Sequence, residues 1–528
     1  MFDAIVVGAG FPRLYMLYQL RQYGFSAKVF EAADDLGGTW YWNRYPGCRC
    51  DIESMQYSYS FSEELQQEWN WSEFYSPQPE ILRYLNYVAD KFDLRKDIEF
   101  KARVTAAHFD EEQLRWLILF EDGRQVSARF CIMATGCLSA SKIPNIQGLD
   151  TFKGDCYQTS RWPHHEIQWK GSRVAVIGTG SSAIQTIPSI VEQVDHLYVF
   201  QRTPNFSIPA WNRKLEPEYI QDWKMNYKQR RAEMRKIFYA SLIPIGEDCS
   251  VLDVSEEKLN EIFEKQWQRG GLGFNAAFND IVINEKSNEK AADFIRNKIR
   301  HIVKNPEVAE TLIPTGFPLG TKRLCVDTNY FQTYNRDNVT LINLKKTSID
   351  EITPTGIRTQ DKFYEVDKII FATGFDAMTG ALLNMDLRGR SNASLKEKWS
   401  NGPLTFMGLM IADFPNLFTI TGPGSPSVLT NMVPSIEFHV DSIVKLMDYA
   451  RLHSFSTIEP SLEAENDWNQ HCQQVASMSL FSKAVSWYNG SNIAGKPKVL
   501  LPYTGGFPLY IQQWEDLEKN DYNRLIFT

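Results

Sequence analysis

Two segments of the chain share one hydrophobic pattern: a short apolar run, a glycine-rich turn, and then apolar positions at helical spacing. In the first segment the apolar residues 5–7 precede Gly8 and Gly10, and in the second the apolar residues 174–177 precede the turn at residues 178–180. A strand, a glycine turn and a helix open a βαβ unit. We therefore predict an α/β fold with two dinucleotide-binding, Rossmann-like, doubly wound domains.

The middle of the chain has a different pattern. Between about residues 214 and 314, charged and apolar residues alternate at helical spacing, as in residues 291–300. This periodicity predicts a mostly helical insertion. Strands and turns return after it, and the apolar residues 369–372 predict a buried strand that ends in a tight turn.

The first glycine turn has the surroundings of a dinucleotide site. Gly8 and Gly10 let the backbone approach a pyrophosphate, and the helix that follows supplies N–H groups and a positive dipole end. Glu31 lies at the end of the next apolar run, 23 residues after Gly8. At that place an acid accepts hydrogen bonds from the ribose hydroxyls.

The second glycine turn lacks such an acid. The corresponding strand end carries Arg202 and Thr203, and an arginine there suits the 2′-phosphate of NADPH. A solvated arginine at a strand end remains the alternative for Arg202. Two dinucleotide folds in one chain suggest electron transfer from a nicotinamide to a flavin, whose chemistry the protein positions.

Composition narrows the classes of function. The chain has 528 residues, a net charge of −8 and a pI of about 5.7, which argues against non-specific nucleic-acid binding. It contains no apolar run long enough for a membrane span and no signal-peptide pattern, so we expect a cytoplasmic protein. Its eight cysteines are scattered, and neither a redox C-x-x-C nor a metal motif is found.

Several longer segments then carry a family resemblance. The aromatic-rich loop at residues 35–47 and its continuation at residues 49–54 are the most specific, and Phe152, Gly154, Gln158 and Trp162 fall on the positions of an F-x-G-x-x-x-H-x-x-x-W signature. On these segments the chain resembles the Baeyer–Villiger monooxygenases. Further similar segments lie at residues 320–323, 372–376, 422–427 and 486–497.

The resemblance implies an FAD-dependent, NADPH-using monooxygenase. In this family NADPH reduces FAD, and O2 then forms a C4a-peroxyflavin whose anionic peroxide attacks a ketone carbonyl. Rearrangement inserts one oxygen atom beside the carbonyl carbon and gives an ester or a lactone. A cyclic or polycyclic ketone is the family-level expectation, while the individual ketone and the oligomeric state are not predicted.

The resemblance also assigns roles to individual residues. Arg323 would stabilise the peroxide and the developing oxyanion, since an arginine stays protonated. Asp51 would hold Arg323 near the flavin, and Lys322 would face the 2′-phosphate of NADP. A surface ion pair for Arg323 and a turn-capping role for Asp51 are the structural alternatives.

The motifs and the resemblance together give a set of cofactor-binding residues. On the flavin side Thr39 to Trp42, Tyr57, Val104 and Met432 carry over, and on the NADP side Thr179 to Gln185 and Trp487. The full set is Gly8, Gly10, Phe11, Glu31, Gly38, Thr39, Trp40, Tyr41, Trp42, Arg49, Cys50, Asp51, Tyr57, Val104, Thr135, Gly178, Thr179, Gly180, Ser181, Ser182, Ala183, Ile184, Gln185, Arg202, Thr203, Lys322, Arg323, Met432 and Trp487.

The same signals predict a division of the chain into three parts. Residues 1–145 and 385–528 would form the FAD-binding domain, and residues 146–213 and 325–384 the NADP-binding domain. Residues 214–324 would form the helical insertion.

The chain departs from the family pattern at two places. In G-x-G-x-x-G the third glycine allows close helix–strand packing. Here Arg13 stands at the position of that glycine, and Pro12 precedes it. Arg13 either tilts the helix outward or reaches a phosphate from the side, and both would affect FAD binding. Gln158 stands where the family has histidine, so we expect retained chemistry with altered coupling between NADPH use and product.

Three other functions remain open at this stage. A flavin monooxygenase that oxidises nitrogen or sulfur shares both folds but needs no catalytic arginine, so residues 320–323 favour the ketone oxidiser. A disulfide reductase would need a C-x-x-C beside the flavin. A degenerate family member without turnover is supported only by Pro12, Arg13 and Gln158.

Overall fold

A computed structural model describes residues 2–243 and 246–528 of the chain. Its strands in chain order are β1 (Phe2–Val7), β2 (Ala27–Phe30), β3 (Ile98–Glu99), β4 (Val104–Asp110), β5 (Arg115–Phe120), β6 (Gln125–Met133), β7 (Asp155–Gln158), β8 (Arg173–Ile177), β9 (His196–Gln201), β10 (Ser207–Pro209), β11 (Cys325–Asp327), β12 (Val339–Asn343), β13 (Ile349–Thr353), β14 (Gly356–Thr359), β15 (Phe363–Glu365), β16 (Lys368–Phe371), β17 (Asp386–Arg388), β18 (Leu417–Thr419), β19 (Ile458–Pro460) and β20 (Leu525–Phe527).

Its α-helices lie between and around these strands. They are α1 (Phe11–Gln22), α2 (Thr39–Trp42), α3 (Glu63–Glu68), α4 (Gln78–Lys91), α5 (Ser181–Ile190), α6 (Pro217–Met234), α7 (Glu256–Arg269), α8 (Glu285–Ile302), α9 (Pro306–Leu312), α10 (Tyr330–Thr333), α11 (Gly380–Leu383), α12 (Leu395–Lys398), α13 (Met432–Leu452), α14 (Leu462–Ser477) and α15 (Gly506–Lys519).

The first sheet has the strand order β17-β4-β5-β6-β1-β2-β3, with β18 beside β6. Strand β1 pairs in parallel with both β2 and β6, while β4, β5 and β6 pair antiparallel. The residues of β1 from Ala4 to Val7 are buried, because α1 packs over β1 and against α13. Burial on both faces explains why this strand is a continuous apolar run.

The second sheet has the order β12-β9-β8-β16-β7, and all its neighbouring strands are parallel. Helix α5 connects β8 to β9 across one face of the sheet. The carboxyl ends of parallel strands meet at one edge of a sheet, and that edge is where α/β folds bind dinucleotides. Here Ile177 of β8, Phe200 of β9 and Phe371 of β16 lie in register at that edge.

Helices α6 to α9 lie between the strand pair β10 and β11 in the sequence, as the helical periodicity predicted. The parallel strand pairs in both large sheets confirm the predicted α/β fold. The exact division into domains stays a prediction, although the first sheet draws its strands from residues 2–133 and 386–419. None of the helices in the described part of the chain has the length and apolar character needed to cross a lipid bilayer.

Candidate active site

Both glycine turns open onto one cavity of about 1590 Å³. Val7 and Gly8 reach it from the end of β1, and Ile177 and Gly178 reach it from the end of β8. The cavity therefore lies between the carboxyl edges of the two sheets, where two dinucleotides could meet.

The backbone is tightly packed at the first turn. Gly38, at the start of the aromatic-rich loop, has a φ of +54°, and a Cβ added to it would lie 2.8 Å from Gly10 Cα. Any side chain at residue 38 would therefore occupy the space between Gly38 and Gly10. Gly10, Gly38 and the N-terminus of α1 present backbone to the cavity, which fits a pyrophosphate.

Aromatic residues form the wall of the cavity beside the first glycine turn. The indole N–H of Trp40 donates a hydrogen bond of 3.2 Å to the Tyr57 hydroxyl. The Tyr57 ring packs edge-on against Phe11 with ring centroids 5.1 Å apart. Burial raises the pKa of Tyr57 well above its ordinary value, so this hydroxyl stays protonated. These flat side chains give the cavity an apolar surface that suits an isoalloxazine ring.

Arg323 and Asp51 form a bidentate ion pair at the cavity. Arg323 Nε and Nη2 donate to the two carboxylate oxygens of Asp51 at 2.7 and 2.8 Å, and Nη1 donates to the Val428 carbonyl at 2.7 Å. The two charged side chains are 24 % and 23 % exposed, and both line the cavity. This geometry fixes the plane of the guanidinium.

The surroundings of Arg323 keep it charged. Burial alone would lower the pKa of Arg323, but the charge and hydrogen bonds of Asp51 raise it well above its ordinary value. The neighbouring Tyr488 has a pKa raised to about 12 by burial, although Arg323 opposes that shift. Arg323 is therefore a permanent cation that can donate to an oxygen in the cavity.

Three cations gather near the second glycine turn. Arg202, Lys322 and Lys345 all line the cavity. Burial, together with the positive charges of Arg202 and Lys345, lowers the pKa of Lys322 to about 8. Its ammonium lies 4.3 Å from the centre of the Phe317 ring. Such mutual repulsion is relieved by an anion, and a 2′-phosphate has the charge and size for this position.

Sequence reasoning missed Lys345. It follows β12, which pairs in parallel with β9, and the register places Asn343 opposite Gln201. Lys345 and Arg202 therefore leave neighbouring strands at the same edge of the sheet. A predicted pairing of these two strands would have brought Lys345 beside Arg202.

The two halves of the cavity are linked by hydrogen bonds of the Gln185 side chain on α5 and by a backbone hydrogen bond of Trp162, four residues after β7. The Gln185 amide donates to the Arg49 carbonyl at 3.1 Å and accepts from the Tyr45 hydroxyl at 3.0 Å. The backbone N–H of Trp162 donates to the backbone carbonyl of Trp42 at 3.1 Å. The second dinucleotide domain is thus bonded directly to the aromatic-rich loop of the first.

Most of the predicted site residues line this cavity. Tyr41, Ala183 and Ile184 do not line it. The Tyr41 hydroxyl contacts Asp34 instead, and Ala183 and Ile184 are fully buried on the inner face of α5. The residues that do line it are Gly8, Gly10, Phe11, Glu31, Gly38, Thr39, Trp40, Trp42, Arg49, Cys50, Asp51, Tyr57, Val104, Thr135, Gly178, Thr179, Gly180, Ser181, Ser182, Gln185, Arg202, Thr203, Lys322, Arg323, Met432 and Trp487.

Comparison with known proteins agrees with this geometry. A family model described as flavin-binding monooxygenase-like matches residues 3–267. A protein of Pseudomonas putida named 2-oxo-Delta(3)-4,5,5-trimethylcyclopentenylacetyl-CoA monooxygenase is 40% identical, covering 99% of this chain and 97% of its own length. A Baeyer–Villiger monooxygenase of Pseudooceanicola batsensis is also 40% identical, covering 99% of this chain and 96% of its own.

The likeness extends to three dimensions. A solved structure of an oxidized steroid monooxygenase bound to NADP superposes with a TM-score of 0.96 and 46% sequence identity, covering 100% of this chain and 99% of that one. Similarity of this extent includes both sheets, the helical segment and the cavity. The chain therefore belongs to the flavin-binding monooxygenase-like family and, within it, to the Baeyer–Villiger monooxygenases.

Proposed function

We propose that this chain is an FAD- and NADPH-dependent Baeyer–Villiger monooxygenase, which inserts one oxygen atom of O2 beside a ketone carbonyl. The observation that carries this proposal is the Arg323–Asp51 pair in the cavity shared by both glycine turns. A flavin enzyme that oxidises soft nitrogen or sulfur centres needs no fixed cation at this place.

The cofactors supply the redox chemistry: NADPH provides the hydride, and the flavin accepts it and activates O2. The aromatic wall around Trp40 and Tyr57 would orient the isoalloxazine ring. Arg202, Lys322 and Lys345 would hold the 2′-phosphate of NADPH.

Arg323 would stabilise negative charge that develops on oxygen during insertion. Three of its hydrogen bonds go to Asp51 and Val428, and a guanidinium carries five N–H donors. Two N–H groups remain, one of them shared with the neighbouring Tyr488 hydroxyl, and they would donate to a substrate oxygen. Donors fixed before the reaction stabilise a transition state better than mobile ones.

Asp51 would act through Arg323. Its two oxygens are both used by the guanidinium, so it orients the cation and balances part of its charge. Tyr488 packs beside Arg323 as a protonated phenol and would close that side of the site to water.

The ketone is proposed as cyclic or polycyclic. The similar proteins are named for a cyclopentenylacetyl-CoA substrate and for steroids, and the cavity of about 1590 Å³ has room for a ring system beside two cofactors. This assignment of substrate class rests on those names and on the size of the cavity.

The direct test is oxygen incorporation. The FAD-loaded chain is incubated with NADPH and ¹⁸O₂ against a panel of cyclic ketones, a thioether and a tertiary amine, and the products are analysed by mass spectrometry. We expect esters or lactones that carry one ¹⁸O atom and form only with NADPH. Oxidation of the thioether or amine alone would favour nitrogen or sulfur oxygenation, and no product from any substrate would favour a degenerate family member.

A further inference from the structure

Arg13 occupies the position of the third fingerprint glycine. It lies in the first turn of α1, and only 4% of the residue is exposed. A glycine at this position normally allows the helix to pack closely on the strand. Helix α1 packs against β1, and the Arg13 side chain extends to Gly8 and Glu31, the residues that follow β1 and β2.

The guanidinium of Arg13 contacts Gly8 of the first glycine turn and Glu31, the acid expected to bind the adenosine ribose. Its Nη1 donates to Glu31 Oε2 at 3.0 Å. A Cβ added to Gly8 would lie 2.4 Å from Arg13 Nη2 and 2.8 Å from Cζ, so the guanidinium rests directly against the Gly8 backbone. The other Glu31 oxygen accepts from the Ala33 N–H at 2.8 Å.

This arrangement leaves the buried cation with few partners. In the part of the chain that the structure describes, Arg13 Nε has no hydrogen-bond partner. Burial lowers the pKa of Arg13 to about 10, although Glu31 opposes the shift. Arg13 therefore remains charged at neutral pH, and a buried charge with an unused donor is costly.

In a Rossmann site the first fingerprint glycine forms the tight turn beside the pyrophosphate, and the acid at the end of the second strand binds the ribose hydroxyls of the adenosine half. Here Arg13 covers Gly8 and pairs with Glu31. We propose that Arg13 occupies the adenosine subsite of the FAD site and competes with the adenosine half of FAD.

Two consequences follow from this competition. FAD gains its adenosine contacts only after the Arg13–Glu31 pair has separated, so this half of the cofactor contributes little to affinity. The flavin half would contact the aromatic wall around Trp40 and Tyr57 and gains nothing from separation of the Arg13–Glu31 pair, so the chain discriminates weakly between FAD and FMN, which lacks adenosine. The inference rests on the proposed binding of FAD and is independent of the ketone chemistry.

Equilibrium dialysis of the full chain tests the competition directly. The wild-type protein, Arg13→Gly and Arg13→Ala are each dialysed against graded FAD and, separately, graded FMN, and bound flavin is measured by absorbance. We expect both variants to bind FAD about tenfold more tightly or better, since a charge-assisted hydrogen bond no longer has to break. Their affinity for FMN should match that of the wild-type protein.

Arg21→Ala is the matched control, because Arg21 lies on the same helix and pairs with Asp97 away from the cavity. Its affinity for both flavins should equal that of the wild-type protein. Weaker FAD binding by Arg13→Gly and Arg13→Ala would overturn the proposal, because Arg13 would then be a cofactor ligand. Equal gains for FAD and FMN would also overturn it, and failure of every variant to bind flavin would contradict the proposed function itself.

A double-mutant cycle with Glu31→Gln adds a second readout. In the Arg13→Gly background Glu31 is free to bind the ribose, so Glu31→Gln should weaken FAD binding by about tenfold. In the wild-type background the same change should weaken FAD binding much less. Equal losses in the two backgrounds would mean that Glu31 already binds the ribose beside Arg13, and the proposal would fall.

Discussion

Asp51 and Arg323 are 272 residues apart in the chain, yet two parallel hydrogen bonds of 2.7 and 2.8 Å join their side chains. The pair joins the segment that follows the aromatic-rich loop, which carries Asp51, to the end of the predicted helical insertion, which carries Arg323 just before β11. A third hydrogen bond to the Val428 carbonyl completes the fixation of the guanidinium. Its orientation is set before any substrate enters the cavity.

Replacing Arg323 should remove the insertion step and spare the reduction of the flavin. We expect Arg323→Ala to lower kcat for ester formation by about 10²–10³-fold, the usual cost of removing one donor to a developing oxyanion. NADPH binding should be retained because the cations proposed to hold the 2′-phosphate are unchanged. Product formation and anaerobic bleaching of the flavin by NADPH, measured side by side, separate the two steps.

A second variant, Arg323→Lys, separates the effect of the positive charge from the effect of the bidentate pairing with Asp51. It keeps a positive charge but cannot form the bidentate bond to Asp51. We expect ester formation between that of the wild-type protein and that of Arg323→Ala. Full activity in Arg323→Lys would show that charge alone suffices and that the planar pairing with Asp51 has no role.

Lys345 should be a determinant of NADPH preference. Lys345→Ala removes one of three cations at the proposed phosphate position, so we expect KM for NADPH to rise about tenfold, within the range for a hydrogen bond to a charged group. KM for NADH should not change. The neighbouring Lys346→Ala is the control, because Lys346 is 70% exposed and lies near Glu307 instead of the cavity. Equal effects of the two variants would contradict the assignment.

Lys345 also shows what the sequence could and could not predict. The strands, glycine turns and helical segment follow from local patterns, and each was predicted from residues that are close in the sequence. The neighbourhood of Lys345 and Arg202 depends on which strands pair, because β9 and β12 are separated by the whole helical segment. Pairing of this kind is a property of the sheet and is not visible in either segment alone.

The direction of individual side chains was equally hard to predict. Ala183 and Ile184 fall within the second glycine turn and its helix, but the helical period turns both into the core. The sequence left two outcomes open at Arg13: an outward tilt of α1, or a side chain that reaches a phosphate from the side. In the structure the Arg13 side chain extends across Gly8 to Glu31. This contact depends on how α1 packs on β1, and that packing is not visible in the local sequence.

NADPH binding should weaken as the pH rises through about 8. The pKa of Lys322 is lowered to about 8, first by burial and then by Arg202 and Lys345, so Lys322 loses its charge above that pH. A neutral lysine no longer attracts a 2′-phosphate, and KM for NADPH should increase between about pH 7.5 and 9. The measurement is KM for NADPH and for NADH across this range.

NADH provides the internal control for this prediction, because it lacks the 2′-phosphate. Lys322→Arg provides the second control, since an arginine stays protonated throughout the range. Its KM for NADPH should be independent of pH. A rise in KM that is the same for NADPH and NADH, or that persists in Lys322→Arg, would assign the titration to another group.

Gln158 should affect how tightly NADPH oxidation is coupled to product formation. Gln158 is the last residue of β7 and lies four residues before Trp162. The backbone N–H of Trp162 donates a hydrogen bond to the Trp42 carbonyl in the aromatic-rich loop. Among the described residues, Gln158 Nε2 is buried without a hydrogen-bond partner, so the amide fits this position poorly. Gln158→His introduces a ring that can bond with either nitrogen and can take up a proton near neutral pH.

We expect Gln158→His to change the ratio of ester formed to NADPH consumed and to make that ratio depend on pH between about 5.5 and 7.5, the range in which histidine titrates. Ester should still form, because Arg323 and Asp51 are untouched. The control is His165→Gln, the reverse exchange at an exposed position on the same segment, which should leave the ratio as it is. An unchanged ratio at all pH values in Gln158→His would show that the end of β7 does not communicate with the aromatic-rich loop through this side chain.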